Sequence, residues 1–220
     1  MKETETLPSH AAIETAVTVR YAGLACCSTS LSCGRALDHS AVVAGETVVD
    51  LGCGRGQDVI RAAGRAEPGG RAIGVDATDE MLEQARRNVP PFVANASFVK
   101  SDLADLDLPD GFADVAISNC TINHARDKRA VYAEIHRILR AGGRFVVSDV
   151  VAEEELPESV RNDPAAWAAC YGGAIPEDDY LAAIRGAGFD ALEIIERTEP
   201  YEKGGVQVRS LTLKGTKGRP

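Results

Sequence analysis

An α/β fold, with a mostly parallel sheet covered by helices on both faces, is predicted by two features of this sequence. Short apolar runs alternate with amphipathic segments over most of the 220 residues, which is the pattern of repeated β-α units. The first apolar run ends in the glycine-rich stretch at residues 50–56, as expected where a parallel strand turns into a helix beside a ligand. Together these features predict a Rossmann-like sheet of seven strands.

Each element follows from its local pattern. Apolar residues at helical spacing predict an N-terminal helix at residues 10–24. Short apolar runs predict strands at residues 47–53, 71–77, 97–102, 112–119 and 143–151. Helical periodicity and terminal signals predict helices at residues 58–66, 79–87, 127–141 and 176–189. Thr78 is the N-terminal signal of the second of these helices, and Gly142 with Gly143 is the expected C-cap of the third.

Two β-rich runs follow the last helix, at residues 190–198 and 206–216. Residues 199–205 are too few for a crossover connection, so the two strands are predicted to pair as an antiparallel hairpin. One strand of the sheet is therefore expected to run antiparallel to the others.

Composition and charge exclude several classes of partner. The net charge is -9 and Lys and Arg form no basic stripe, so nucleic acid is not expected as a substrate. The first ten residues are polar, and no apolar run approaches the roughly 18 residues that cross a bilayer, so no secretion signal and no membrane partner are expected. The six cysteines are then expected in a reducing cytoplasm, as buried residues, ligands or nucleophiles.

Three glycines and one acid point to a nucleoside ligand. Gly52, Gly54 and Gly56 follow the first strand, and Asp76 ends the second strand twenty positions later. Glycines allow a sharp turn and close approach of a ligand, and an acid at this distance can accept hydrogen bonds from ribose hydroxyls. Gln57 stands where a dinucleotide fingerprint needs glycine, so no pyrophosphate is required.

DLGCGRG (50–56) and the following GVDAT (74–78) resemble the first two motifs of class I S-adenosylmethionine (SAM) methyltransferases. The resemblance implies SAM as the cofactor and the class I methyltransferase fold with its C-terminal antiparallel hairpin. It implies that Met81 packs on adenine and that Asp102 and Leu103 meet the adenine edge. The other cofactor contacts that it implies are Asp50, Gly52, Gly54, Gly56, Asp76, Ala77 and Asn119.

The cysteines indicate the substrate. The fourth strand ends in SNCT (118–121), without the Pro-Pro-Tyr common in amine methylation. Cys120 lies there, Cys170 lies in the segment after the fifth strand, and the N-terminal segment adds Cys26, Cys27 and Cys33. Thiolates converging from these parts of the chain suit a soft, thiophilic centre such as trivalent arsenic.

SNCTIN (118–123), RILRAGGRFVVSDVV (137–151) and LPESVRNDPAAWAACYGGA (156–174) are similar to arsenite methyltransferases. The resemblance identifies Cys120, Cys170 and Cys33 as ligands of trivalent arsenic, with Cys27 as a further N-terminal thiol. It implies an enzyme of arsenite detoxification that takes arsenite as a thiol complex, with glutathione or thioredoxin as reductant. His124 is interpreted as a polar residue at a helix start, with tuning of a thiolate as the alternative.

The predicted organisation has two parts. Residues 1–44 form an N-terminal helix and a cysteine-bearing lid, and residues 45–220 form the methyltransferase domain, with a substrate-lid insertion at 152–175. Two other functions stay open. One is a C- or O-methyltransferase for a quinone- or sterol-like molecule, in which thiols only line the pocket. The other is a non-catalytic metalloid-binding module, although the N-terminal cysteines lack the C-x₂-C spacing of a zinc site.

Overall fold

The computed structural model describes residues 10–26, 34–189 and 191–219, and a sheet of eight strands forms its centre. In chain order the strands are β1 (Thr47–Leu51), β2 (Arg71–Asp76), β3 (Ala96–Lys100), β4 (Ala113–Asn119), β5 (Leu139–Ala152), β6 (Ala191–Arg197), β7 (Tyr201–Lys203) and β8 (Val206–Thr216). The order across the sheet is β3-β2-β1-β4-β5-β8-β6, and β7 also pairs with β8.

The pairing directions confirm the predicted fold class. β1 to β5 pair in parallel, whereas β8 is antiparallel to both β5 and β6. The C-terminal strands are therefore antiparallel, as their short connection predicts. The prediction of seven strands missed β7, which is only three residues long and pairs with the start of β8.

Eight α-helices lie in the described part of the chain. They are α1 (His10–Leu24), α2 (Ala36–His39), α3 (Gln57–Ala66), α4 (Asp79–Asn88), α5 (Lys128–Ile138), α6 (Glu158–Arg161), α7 (Pro164–Ala168) and α8 (Glu177–Gly186). A short 3₁₀ helix, Ile122–His124, follows β4. Within these described residues, no helix has both the length and the apolar character needed to span a membrane.

Helices cover both faces of the sheet, and each face has its own apolar core. On one face, Tyr132 of α5 and Ile184 of α8 pack with Phe145 of β5 and Phe189. On the other face, Val59 of α3 packs with Leu37, Leu82 and other buried side chains of α2, α4 and the strands. This two-sided burial is what a parallel sheet requires, and it makes the strands nearly continuous in apolar residues.

The boundary between α5 and β5 corrects the prediction. The helix ends at Ile138 instead of Ala141, and β5 already begins at Leu139, which pairs with Ala113 of β4. The ammonium of Lys217 donates hydrogen bonds of 2.7 Å to the carbonyls of His136 and Leu139. A side chain distant in sequence therefore satisfies the carbonyls at this helix end, so Gly142 and Gly143 are not needed as a C-cap.

α1 lies outside the two helical layers. It packs mainly against α7 and also reaches α4 and the 3₁₀ helix, and Ile13 is its buried anchor, only 2% exposed. α1 and α7 belong to two segments that the sequence analysis assigned to lids. Their contact brings residues from the beginning and from the last third of the chain together at the carboxyl edge of the sheet.

Candidate active site

A cavity of about 1140 Å³ lies at the carboxyl ends of β1, β2 and β4. Its wall includes the glycine loop after β1, Asp76 at the end of β2, Asn119 and Cys120 at the end of β4, and Tyr21 of α1. The carboxyl ends of parallel strands are the usual binding edge of an α/β sheet. The cavity is large enough for a nucleoside-sized ligand and a second, smaller molecule.

Asp76 closes the glycine loop. One carboxylate oxygen accepts a hydrogen bond of 2.9 Å from the Gly54 N–H, and the other accepts one of 2.9 Å from the Thr78 N–H. Burial raises the pKa of this carboxyl above its ordinary value, while the hydrogen bonds from Thr78 and Gly54 act in the opposite direction. Asp76 therefore shapes the loop and also presents an acceptor to the cavity.

Gly52 joins the glycine loop to the cysteine motif. Its φ is 72°, and a Cβ at this position would lie 2.2 Å from the Thr121 side chain. Only glycine accommodates both this backbone conformation and this close approach. The loop after β1 is thereby held against the residue that directly follows Cys120.

Most residues predicted to contact a cofactor line this cavity. They are Asp50, Gly52, Gly54, Asp76, Ala77, Asp102, Leu103 and Asn119. Gly56 does not line it: it is the N-cap of α3, and a Cβ there would lie 2.7 Å from the Phe98 ring. Met81 does not line it either: it is only 1% exposed, and its sulfur lies 4.0 Å from the position of a Cβ at Gly54. Its predicted packing on adenine stays a prediction.

The electrostatics of the glycine-loop end favour a cationic ligand. Asp50, Asp58 and Asp76 line this part of the cavity. Burial raises the pKa of Asp50 well above its ordinary value, and the charges of Asp58 and Asp76 raise it further. A positive charge between these carboxylates would relieve their mutual repulsion, which fits a sulfonium or an ammonium group.

Cys120 follows the last residue of β4 and lines the cavity. Its backbone is left-handed, with a φ of 54°, and its N–H donates a hydrogen bond of 2.8 Å to the Ser148 carbonyl of β5. Left-handed backbone in a residue with a Cβ is uncommon and is concentrated at functional sites. The strand end is thus built to aim this side chain, which is 8% exposed.

Cys170, in the insertion after β5, contacts two residues that line this cavity. Its backbone is also left-handed, with a φ of 68°. Its Sγ lies 3.2 Å from the Tyr21 hydroxyl and 3.3 Å from Nε2 of His124, and both of these residues line the cavity. The structure therefore places Cys120 in the cavity wall and the Cys170 sulfur against two residues of the same wall, although the two cysteines are far apart in sequence.

His124 has a defined tautomer. Its Nδ1 lies 3.0 Å from the Trp167 carbonyl, which can only accept, so Nδ1 carries the proton and Nε2 is an acceptor. Burial lowers the pKa of His124 to about 4, so the ring is neutral near neutral pH. The ring is half-buried and contacts Tyr21 and Cys170, so these contacts favour the alternative interpretation, tuning of a thiolate, over a simple polar residue at a helix start.

Asn119 anchors the N-terminal segment beside Cys120. Its side-chain oxygen accepts a hydrogen bond of 3.1 Å from the Ala36 N–H, and its amide nitrogen donates one of 3.1 Å to Asp58. A Cβ at Gly34 would lie 2.3 Å from the Asn119 oxygen and 2.4 Å from Ser148 Cβ. The residue that directly follows Cys33 in the sequence is therefore packed next to the Cys120 motif.

Gly34→Ala is expected to lower the free energy of unfolding by about 1–3 kcal/mol, because the added methyl group overpacks this contact. Gly23→Ala in α1 is the matched control. Among the described residues, no atom outside the backbone of α1 itself lies within 4 Å of a Cβ there, so the change is expected to be neutral or stabilising by up to about 1 kcal/mol. Urea unfolding of both variants measures the difference, and equal stabilities would contradict the packing argument.

The remaining cysteines have different positions. Cys27 and Cys33 lie outside the described residues. Cys26 is exposed at the end of α1 and lines the cavity. Among residues 10–26, 34–189 and 191–219, no group of three or more His, Cys, Asp or Glu side chains is arranged to hold a metal ion.

Sequence reasoning missed Tyr21 and the position of Asp58. Tyr21 lies in a predicted helix, and nothing in its local pattern separates it from a packing residue. Asp58 follows Gly56 of the glycine loop by two positions and lies in the first turn of α3. This position next to the loop could have predicted that Asp58 lies near the cavity.

A family model described as a methyltransferase domain matches residues 43–203 of the chain. The chain belongs to this methyltransferase-domain family. An arsenite methyltransferase of Halobacterium salinarum is 41% identical to it over 173 residues, which are 78% of this chain and 44% of the relative. An arsenite methyltransferase of Aquipseudomonas alcaligenes is 36% identical over 171 residues, which are 74% of this chain and 49% of the relative. The matched part of this chain thus spans less than half the length of either relative.

A solved structure is also similar. The crystal structure of an arsenic(III) S-adenosylmethionine methyltransferase from Chlamydomonas reinhardtii superposes with a TM-score of 0.76 at 29% identity. The match covers 97% of this methyltransferase-domain chain and 75% of that chain. The resemblance to arsenite methyltransferases inferred from the motifs is therefore confirmed.

Proposed function

We propose that this chain is a SAM-dependent methyltransferase that transfers methyl to trivalent arsenic held by cysteine sulfurs. One observation carries the proposal. Cys120 lines the cavity that also contains the glycine loop and Asp76, and the Cys170 sulfur contacts Tyr21 and His124 of the same wall. The similarity to the two arsenite methyltransferases supports it.

The residues of the glycine-loop end fit SAM. When bound, SAM supplies a methyl group on a positively charged sulfur. Asp76 would accept hydrogen bonds from the ribose hydroxyls, and Asp102 and Leu103 would meet the adenine edge. Asp50 and the glycine loop would hold the methionine part, where the surrounding carboxylates stabilise its positive charge.

Arsenic is the substrate, and cysteine sulfurs would receive it by exchange. A thiol complex of arsenite gives up one thiol for each cysteine that binds. A new sulfur–arsenic bond forms, the old one breaks, and the cysteine proton leaves on the displaced thiol. Cys120 and Cys170 supply two sulfurs. We assign the third to Cys33, because Gly34, the next residue, is packed against Asn119 beside Cys120.

The protein would act mainly by orientation. Trivalent arsenic keeps a lone pair, so no side-chain base is needed to create the nucleophile. Holding arsenic in line with a methyl carbon can lower a barrier by as much as roughly 7–11 kcal/mol. The left-handed backbones of Cys120 and Cys170 would aim the two sulfurs, and α1, which lines the cavity, would limit the entry of water.

The proposal includes a cellular setting. Thiolate is the ligand form of cysteine, so the sulfurs must stay reduced, which favours the cytoplasm. Glutathione or thioredoxin would serve as reductant, with glutathione also able to deliver arsenite as a thiol complex. We assign residues 45–220 as the methyltransferase domain. Two segments are assigned as lids over the substrate: residues 1–44, which precede this domain, and residues 152–175, which are an insertion within it.

A labelled-methyl assay with trivalent arsenic, glutathione and SAM tests the proposal. Labelled methylarsenic product is expected, and arsenite alone is expected to change the emission of Trp167, whose carbonyl accepts the Cys170 N–H at 2.9 Å. A quinone or sterol methyltransferase would give neither response to arsenite. A non-catalytic module would change its emission and give no product, and either result would reject the proposal.

A further inference from the structure

Three polar atoms form a closed triangle at the edge of the cavity. The Tyr21 hydroxyl lies 3.1 Å from Nε2 of His124 and 3.2 Å from Sγ of Cys170, and that sulfur lies 3.3 Å from the same nitrogen. The Tyr21 and His124 rings also meet edge to face, with centroids 5.3 Å apart. The three residues come from α1, the 3₁₀ helix and the insertion after β5, so the triangle joins three separate segments.

The hydrogen count of the triangle limits how it can be bonded. His124 Nε2 is an acceptor, because Nδ1 holds the ring proton against the Trp167 carbonyl. The hydroxyl of Tyr21 and the thiol of Cys170 each have one hydrogen to donate, so at most two of the three sides are hydrogen bonds at a time. When the Cys170 sulfur loses its hydrogen and bonds another atom instead, the Tyr21 hydroxyl is the one remaining donor in the triangle.

Tyr21 also connects the triangle to α1, because it is a residue of this helix. This helix carries cavity-lining residues on one side, namely Glu14, Val17, Thr18 and Tyr21. Tyr21 is the member of this set that contacts both His124 and Cys170. The Tyr21 phenol therefore links α1 directly to the Cys170 sulfur, in addition to the packing of α1 against α7.

We propose that Tyr21 and His124 are positioning residues that hold the Cys170 sulfur at the cavity wall and couple its state to the seating of α1 as a lid. For its consequence in arsenic binding, this inference rests on the proposed function. Coupling between two sites is reciprocal. A seated α1 presents the sulfur for binding, and a change at the sulfur alters how tightly α1 is held.

Hydrogen exchange of the α1 amides tests the coupling without any arsenic. Tyr21→Phe keeps the ring and removes the hydroxyl. It is expected to speed hydrogen exchange of the α1 amides about 3- to 10-fold, because the helix loses one or two hydrogen bonds that hold it in place. Cys170→Ala is expected to give a smaller increase, because the contact between Tyr21 and His124 remains. The double variant Tyr21→Phe/Cys170→Ala is expected to exchange its α1 amides at the same rate as Tyr21→Phe alone.

Thr15→Val is the matched control. It removes a hydroxyl from the same helix, but this exposed hydroxyl bonds only to the Ala11 carbonyl, at 2.7 Å. Its effect on exchange is expected to be the same with Cys170 present or replaced. Unchanged exchange in Tyr21→Phe, or an equal effect of Cys170→Ala with and without the Tyr21 hydroxyl, would overturn the coupling.

Arsenite binding, followed by Trp167 emission, provides the second test. Tyr21→Phe and His124→Leu are each expected to weaken arsenite binding about tenfold, because each removes a group that orients the side chain of a ligand residue. SAM affinity is expected to stay unchanged in both variants. His124→Gln, which returns a polar group near the place of Nε2, is expected to recover part of the loss. Wild-type affinity in both Tyr21→Phe and His124→Leu would refute the positioning role. A wild-type protein that does not bind arsenite would refute the proposed function instead, and the exchange experiment would still decide the coupling.

Discussion

The variants Cys120→Ser and Cys170→Ser are expected to lose arsenic methylation by at least about 1000-fold, which corresponds to roughly 4 kcal/mol of transition-state stabilisation. A hydroxyl is a poor ligand for a soft centre, so arsenic would lose one of its anchors and its orientation toward the methyl group. SAM affinity is expected to stay within about twofold, because neither sulfur is part of the predicted cofactor contacts. The labelled-methyl assay and titration calorimetry with SAM measure the two quantities.

The matched control is Cys26→Ser, the same chemical change at an exposed cysteine that lines the same cavity. It is expected to lose much less than tenfold in methylation, because Cys26 is not one of the three cysteines assigned as arsenic ligands. Thermal unfolding shows whether each variant is folded before its activity is compared. Full activity in Cys120→Ser or in Cys170→Ser would disprove the role of that residue as an arsenic ligand.

Asp76→Ala is expected to weaken SAM binding at least about 100-fold, or about 2.7 kcal/mol. The change removes the acceptor for the predicted ribose hydroxyls. It also leaves the N–H groups of Gly54 and Thr78 without the carboxylate that accepts their hydrogen bonds, so the loop loses its shape. Calorimetry with SAM measures the loss directly, without any assumption about the methyl acceptor.

Asp79→Ala is the control for this prediction. Asp79 begins α4 three positions later, and its side chain is 73% exposed in an ion pair with Lys100. An exposed pair of this kind contributes little, so SAM affinity and stability are expected to change by less than about 1 kcal/mol. Asp76→Asn separates the two roles of Asp76, since it keeps the side-chain size and removes the charge. Unaltered SAM binding in both Asp76 variants would show that the cofactor does not use this acid.

Local sequence patterns predicted the elements whose signals are local. The helix at residues 10–24 matches α1, and β1 to β4 and α3, α4 and α8 differ from their predicted bounds by only a few residues. Apolar periodicity is set by the face that each element buries, so it can be read without knowing the partner. The end of α5 was mispredicted because Lys217, far along the chain, satisfies the last carbonyls of the helix.

Candidate site residues were predictable to the extent that they belong to contiguous motifs. The glycine loop, Asp76 and Cys120 all follow strands, and the carboxyl ends of parallel strands meet at one edge, so their meeting followed from the fold class. The burial of Met81 was not predictable, because a helical position facing the core and one facing a ligand have the same spacing along the chain. Tyr21 and the contacts of His124 were missed, because these two residues meet only through the tertiary packing of α1 on the 3₁₀ helix.

The sequence by itself therefore determined the α/β class, the glycine loop with its acid, and the family resemblance that singles out Cys120 and Cys170. These features depend on backbone conformation and on spacing within short segments, which the chain encodes locally. Only the tertiary structure decided that α1 lines the cavity, that the Tyr21 hydroxyl and His124 Nε2 reach the Cys170 sulfur, and that Gly34 packs against Asn119. Such contacts join residues that are far apart in sequence, and their distances are set by how whole layers pack, which no local pattern specifies.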